Sequence, residues 1–225
     1  MIKFTERNDG TFLRKVVYLQ SFHGETLDKI ALEIRDLLHR RFPNAEKVIY
    51  DARGLGDSFD RFFDREYVDY TTGKEYPPLV VDDEPNMNPL AKTILHPFRA
   101  VQALNQRIYT NLRVALEKKN IEIPIASNII RSIEAEAAAK SEDPIFTELE
   151  HAVYHEADAL QMEMGNVVAK VSSNGNVLYD TTSNKKHKDR YSSLAMGNDY
   201  ISELEKENVK RYRHGSVCIG LATAF

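Results

Sequence analysis

The chain has 225 residues, 42% hydrophobic and 28% charged, with a net charge of −4, a composition that excludes an intrinsically disordered chain and, being mildly acidic, argues against a protein that coats nucleic acid, although a local basic strip can bind DNA on an acidic domain. No apolar run approaches the roughly 20 residues that cross a bilayer, and the N-terminus lacks a basic segment followed by an apolar one. The single cysteine, Cys218, cannot form an internal disulfide and no Cys/His spacing suggests a zinc site, so a reducing, cytoplasmic location is expected.

Ile2 to Arg7 and Thr11 to Phe22 are predicted as a hairpin turning at Asn8-Asp9-Gly10, because Asn and Gly supply the positive backbone angles of a tight reversal. From Thr26 to Arg41, Leu27, Ile30, Ala31, Ile34, Leu37 and Leu38 follow the three-four spacing of an amphipathic helix. Asp28 near its start and His39, Arg40 and Arg41 at its end suit the macrodipole. Pro43 and Asn44 end it, and Lys47 to Tyr50 is a short strand running into Asp51. Strand, helix, strand predicts a crossover, with the third strand parallel to the second or to a neighbour.

After Tyr70 the crowding of Pro77, Pro78, Asp82, Asp83, Pro85 and Pro89 predicts a surface excursion around one brief strand, Leu79 to Val81. Helices are expected at about Phe98 to Lys119, Ile129 to Lys140 and Phe146 to Met164. A second hairpin, Asn166 to Ser172 and Asn176 to Asp180, turns at Ser173-Asn174-Gly175. A basic run, Lys185 to Arg190, leads into a last helix from about Asp189 to Glu207. One domain is expected over residues 1–208, followed by a tail, 209–225, in which Val217 to Ala224 is apolar enough for an added strand or a partner contact.

Two places carry candidate chemistry. In Val48-Ile49-Tyr50-Asp51-Ala52-Arg53-Gly54-Leu55-Gly56-Asp57 an apolar strand ends at a carboxylate, and two glycines let the backbone turn tightly into a helix. Asp51 is thereby displayed at the carboxyl end of a strand, where open sheets place their sites, but the same residue also suits a turn or an N-cap. The third glycine of a dinucleotide fingerprint is missing and no Walker A lysine motif occurs, so an ATPase is not indicated. Asp57 and Asp60 read as solvated, and Phe59, Phe62 and Phe63 as the buried face of the helix after Asp51. In the second place Asp189 opens a helix, where the dipole favours an acid and where it can equally point into a metal site. Lys185, Lys186, His187, Lys188 and Arg190 could contact phosphates beside such a metal, or form a solvated charge run. Glu163 and Asp180 read as structural, and Tyr154 and His155 have no partner identifiable from the sequence.

Taken together, a hairpin, a crossover helix, a strand ending in Asp51-Ala52-Arg53-Gly54-Leu55-Gly56, a helical insertion, a hairpin, and His187-Lys188-Asp189-Arg190 opening a final helix resemble the nuclease domain of the large terminase subunit of tailed bacteriophages. The resemblance runs from about Ile2 to Glu207. It implies an α/β, RNase H-like fold: a mixed β-sheet flanked by helices, with a helical insertion and an extra β-hairpin. It also implies a DNA-packaging endonuclease that cuts concatemeric double-stranded DNA with two Mg2+ or Mn2+ ions held by three carboxylates, in the cytoplasm of a bacterial host. Asp51 would be the carboxylate ending the central strand and Asp189 the one on the last helix. An upstream ATPase domain, a small terminase subunit and a portal are the implied partners.

Two departures from the family pattern matter. The first carboxylate lies on a strand before the opening hairpin, and this chain starts with that hairpin; the expectation is a fragment, or the downstream piece of a split gene. Family members also often carry two adjacent acids where this chain has Lys188-Asp189. Phosphodiester hydrolysis uses one cation to lower the pKa of the attacking water and another to stabilise the leaving oxygen, so fewer carboxylates mean weaker metal binding and slow or absent cutting. A catalytically inactive module that guides DNA or docks to the motor or portal, and another RNase H-like nuclease such as a junction resolvase, are the alternatives.

Overall fold

The structure is a computed structural model and describes all residues except 54–58, 84, 141–145, 173–176, 184–186 and 216–225, with the backbone alone at 149 and 213–215. It is mixed α/β. In chain order the elements begin with β1 (Ile2–Glu6), β2 (Phe12–Val16), α1 (Leu27–Asp36), β3 (Val48–Asp51), β4 (Tyr67–Asp69) and β5 (Lys74–Tyr76). They continue with β6 (Leu79–Val81), β7 (Lys92–Phe98), α2 (Gln102–Glu117), β8 (Ile121–Glu122) and α3 (Ser127–Ala139). The last are α4 (Glu148–Asn166), β9 (Val167–Val171), β10 (Val177–Thr181) and α5 (Asp189–Gly215). The described strands form several small sheets, and the chain divides into two compact units, one of residues 1–20 with the chain from 105 onward, the other of residues 21–104.

In the first unit β1 and β2 pair antiparallel, Ile2 opposite Val16 and Glu6 opposite Phe12. Gly10 makes the reversal at φ +79°, a region that L side chains avoid. Along β2 the residues Phe12, Arg14 and Val16 all point inward, so a cation stands where the period-two pattern asks for an apolar residue. Arg14 is only 1% exposed. Its guanidinium donates to Glu205 Oε2 at 2.7 Å, the Phe12 carbonyl at 3.0 Å and Ser202 Oγ at 3.2 Å, while Glu205 Oε1 accepts from the Phe12 amide at 2.6 Å. One carboxylate therefore ties α5 to β2. Gly197 permits the close approach, since a Cβ there would lie 2.8 Å from Ile2 Cδ1.

The parallel neighbour of β2 is β8, with Arg14 opposite Ile121, whereas β3 pairs with β7. The strand after α1 is thus parallel to a neighbour, β7, and not to β2. After α2 the chain turns at Lys119, and Asn120 accepts from the Arg14 amide through its carbonyl and from Arg7 through its side chain, which zips the following residues onto β2. Helix α4 starts with a capping box in which Thr147 and Glu150 satisfy each other's backbone amides, and α3 packs on it, with Ile130 of α3 and Val153, Ala157 and Leu160 of α4 buried. The second hairpin joins β9 and β10; its expected turn lies outside the described residues. Helix α5 runs through Glu207 to Gly215, and Val217 to Ala224 are not among the described residues.

In the second unit β3, β7 and β6 form a parallel sheet with β7 in the middle. Tyr50, Val81, Ile94 and Leu95 bury one face of it against Ala31, Ile34 and Leu38 of α1 and the turn that follows. The sequence pattern hides β7, because Ile94, Leu95, Pro97 and Phe98 are all buried and no alternation survives in a strand flanked on both sides. Of the helix expected after Asp51, residues 54–58 lie outside the described residues, and the described part is a 3₁₀ turn, Asp60–Phe62. Phe59 and Phe63 are buried with their rings 5.2 Å apart, while Phe62 is 40% exposed. What ends the turn is Arg35, which donates to the carbonyls of Phe62, Arg65 and Pro77 at 3.1, 2.8 and 2.7 Å. Between those carbonyls lies the β4–β5 hairpin, where only a surface excursion is expected; Asp69 closes its turn by accepting from the Thr71 amide and the Thr72 hydroxyl.

Removing the Glu205 carboxylate leaves a buried guanidinium without its anion. Glu205→Ala is expected to destabilise the protein by about 3 kcal/mol, read as a lower urea midpoint, whereas Lys15→Ala on the exposed face of β2 should change it by less than about 0.5 kcal/mol.

Candidate functional site

The pairing of β3 with β7 decides which way Asp51 points. Asp51 stands opposite Phe98 and Ile49 opposite His96, and successive side chains alternate between faces. Tyr50 and Leu95 face α1, so Ile49, Asp51, His96 and Phe98 share the other face of the sheet. Asp51 is half-buried at the carboxyl end of an outer strand, and its Oδ1 accepts from the Arg53 amide at 3.0 Å. The turn role and the displayed position coexist. The central place that the resemblance gives to the Asp51 strand is occupied by β7.

A second strand-end acid shares this face. Asp82 follows β6 directly, its amide bonded to the Leu95 carbonyl at 2.9 Å, and its carboxylate holds His96 Nδ1 at 3.0 and 3.1 Å and accepts from Lys47 Nζ at 2.7 Å. Burial by itself raises the Asp82 pKa, but the bonds from Lys47 and His96 outweigh it and hold the carboxyl below its ordinary value. Asp83 beside it pairs with Arg99 at 3.0 Å. The sequence carries a signal for Asp82, since Leu79-Val80-Val81-Asp82 repeats the apolar-strand-then-acid pattern of Val48 to Asp51. Its partners come from β7 (His96) and from the residue before β3 (Lys47) and have no local signature.

Asp189 lies in the other unit, at the first position of α5, with its side chain 89% exposed and 4.0 Å from His187 Nδ1. Lys188 and Arg190 turn inward instead. Lys188 donates to the Tyr179 carbonyl at 2.7 Å and sits 5.2 Å from the centre of the Tyr109 ring. Arg190 donates to Glu156 at 2.6 Å and Glu163 at 2.8 Å, and the Glu156 bond leads the effects that raise its pKa. Glu163 also accepts from the Tyr191 amide, fixing the start of α5 on α4. Tyr191 stacks on Tyr109 at 5.5 Å, and burial, with the nearby Tyr179 and Tyr109, pushes its phenol up to about 12. Lys185, Lys186 and Asp57 lie outside the described residues.

The remaining acids and aromatics are accounted for locally. Asp60 accepts from the Arg61 amide, and Asp180 from the Thr181 amide and Lys170. Tyr154 packs edge-on against Phe146 and His155 meets Arg131 at 3.4 Å. Carboxylate oxygens such as those of Asp51 and Asp189 are suitable donors for Mg2+ or Mn2+; among the described residues no three His, Cys, Asp or Glu side chains gather to hold an ion. No helix among the described residues is long and apolar enough to cross a membrane. The chain matches no family model, no curated protein and no solved structure.

With its folded pKa depressed, Asp82 contributes stability that is fully present above its unfolded value of about 3.9 and is lost as pH falls through the folded value. Asp82→Asn should therefore lower the urea midpoint at neutral pH, and the gap to wild type should close below about pH 4; a gap that stays constant down to pH 3 would contradict the pairing.

Proposed function

We propose that this chain is an RNase H-like, metal-dependent DNA endonuclease domain of a phage DNA-packaging motor. The observation that carries the proposal is the placement of Asp51 at the carboxyl end of a parallel strand, on the sheet face opposite α1, which is where open α/β sheets position their reactive groups. Asp189, whose exposed carboxylate stands at the start of α5 in the other unit, is the second oxygen donor that the resemblance implies. By the resemblance, Asp51 and Asp189 would each be an oxygen ligand for Mg2+ or Mn2+. Bound divalent ions would acidify a water and stabilise the leaving oxygen of the scissile phosphodiester. Asp82 is the poorer ligand, because Lys47 and His96 already occupy its oxygens. Double-stranded DNA is the substrate, and the motor's ATPase domain, small subunit and portal are the partners that accompany this activity.

A docking scaffold with a nuclease-like fold and no cutting activity is the second possibility. It is favoured by Lys188, which replaces an acid of the family pattern and whose ammonium is bonded to the Tyr179 carbonyl.

In Mn2+ the chain is expected to nick supercoiled plasmid and to bind the ion by titration calorimetry. Asp51→Ala and Asp189→Ala should each weaken Mn2+ binding and slow nicking by about 100-fold, the effect of losing a few kcal/mol of metal-dependent stabilisation. Nicking and Mn2+ binding that survive both substitutions unchanged would overturn the assignment, and Mn2+-independent docking without any metal uptake would establish the scaffold.

A further inference from the structure

The second unit has a small open pocket beside the carboxyl end of α1 and the amino ends of β6 and β7. Its lining combines Arg35, His39 and Lys92 with the apolar surfaces of Phe42, Leu79 and Ile94, and no acidic residue lines it. The helix does not end there in the ordinary way. Residues Leu37–Arg41 form a π turn closed by the Phe42 amide on the Leu37 carbonyl at 2.8 Å. Such turns are rare and occur often at functional sites. This one brings His39 edge-on to the buried Tyr76 ring at 5.7 Å.

Charge is the informative feature. Arg35 is 4% exposed, and among the described residues its hydrogen bonds run to the carbonyls of Phe62, Arg65 and Pro77, with no ion pair. Carbonyls satisfy donors without cancelling a charge. Desolvation leads the effects on Arg35 and lowers its pKa, so the fields of Asp64 and Tyr67 do not make good what burial removes. Asp36, the nearest acid in sequence, is engaged by Lys74, Arg40 and the Tyr76 hydroxyl. The carbonyl end of α1 contributes roughly half a negative charge at most, which leaves Arg35 and Lys92 in excess at the pocket. A buried guanidinium that lacks an anion is the costly state of such a group, and its planar fork has donors beyond the three bonds.

We propose that this pocket binds a small organic anion, a carboxylate carried on a flat or short apolar body. Its carboxylate is drawn by Arg35, His39 and Lys92, and its body lies against the apolar surfaces of Phe42, Leu79 and Ile94. The proposal is independent of nuclease activity.

Titration of the isotope-labelled full chain with benzoate, followed by NMR, tests it. Benzoate should give saturable amide shifts centred on residues 35–45, 76–79 and 92–94. Lys92→Glu, an exposed position that should not disturb folding, should weaken benzoate binding by at least about fivefold, and His39→Ala should weaken it in the same direction. Benzamide, which keeps the shape without the charge, and inorganic phosphate, which keeps a charge without the apolar body, should both bind at least about fivefold more weakly than benzoate. The inference is overturned if benzoate gives no saturable shifts there, if Lys92→Glu binds it as well as wild type, or if benzamide or phosphate matches it.

Discussion

A guanidinium buried against the Phe63 ring and bonded to the carbonyls of Phe62, Arg65 and Pro77 fixes three points of the chain at once. Parallel strands cannot be joined by a tight turn, so the chain must travel out and back between β3 and β6. Arg35 closes that excursion by holding both ends of the β4–β5 hairpin. Once it is closed, the Leu79 amide reaches the Phe63 carbonyl at 2.7 Å and β6 enters in register with β7. Asp82 then falls beside His96, and the polar face of the sheet is assembled. The polar face of this unit thus follows from a cation on the opposite, α1-covered side, whose burial is unfavourable by itself.

The first unit handles buried charge differently. Arg14 meets Glu205, Arg107 meets Asp199 at 2.6 Å and Arg190 meets Glu163, and each pair contains a residue of α5. A helix of 27 residues with an apolar stripe could slide by a turn along its neighbours with modest loss of contact. Three ion pairs spaced along Arg190, Asp199 and Glu205 are satisfied together in one register only. Polar groups in this core therefore add specificity where apolar packing is permissive, and Gly197 against Ile2 sharpens the same choice sterically. Unlike these pairs, Arg35 is bonded among the described residues to carbonyls and not to a carboxylate, which is why its surroundings remain positively biased.

Local patterns made much of the architecture legible. The helices at 127–139 and 148–166, the opening hairpin and the strand ending at Asp51 follow from spacing and turn residues that act within a few positions. Pairing partners are not local, and here the sequence falls silent: Asn120 directs β8 onto β2, and β3 finds β7 rather than β2. The strand β7 is hidden for a related reason, because burial on both faces erases alternation and Pro97 reads as a breaker. Of the candidate site, the position of Asp51 at a strand end was legible and the Lys47–Asp82–His96 cluster was not, since its members meet only through strand order.

The basic run before α5 shows how composition and contact diverge. Lys188 and Arg190 look like solvated or phosphate-facing charges in sequence, yet α4 offers Glu156 and Glu163 at the spacing that captures Arg190, and the aromatic cluster of Tyr109 and Tyr179 takes Lys188. Between them Asp189 is left facing water at a helix N-terminus, where the dipole stabilises an acid without any cation. Asp51 is likewise supported by a backbone amide two residues on. Neither acid depends on a metal ion for its place in the fold. A substitution at either position therefore separates chemistry from stability, which the charged pairs of the core, being both partner and scaffold, do not allow.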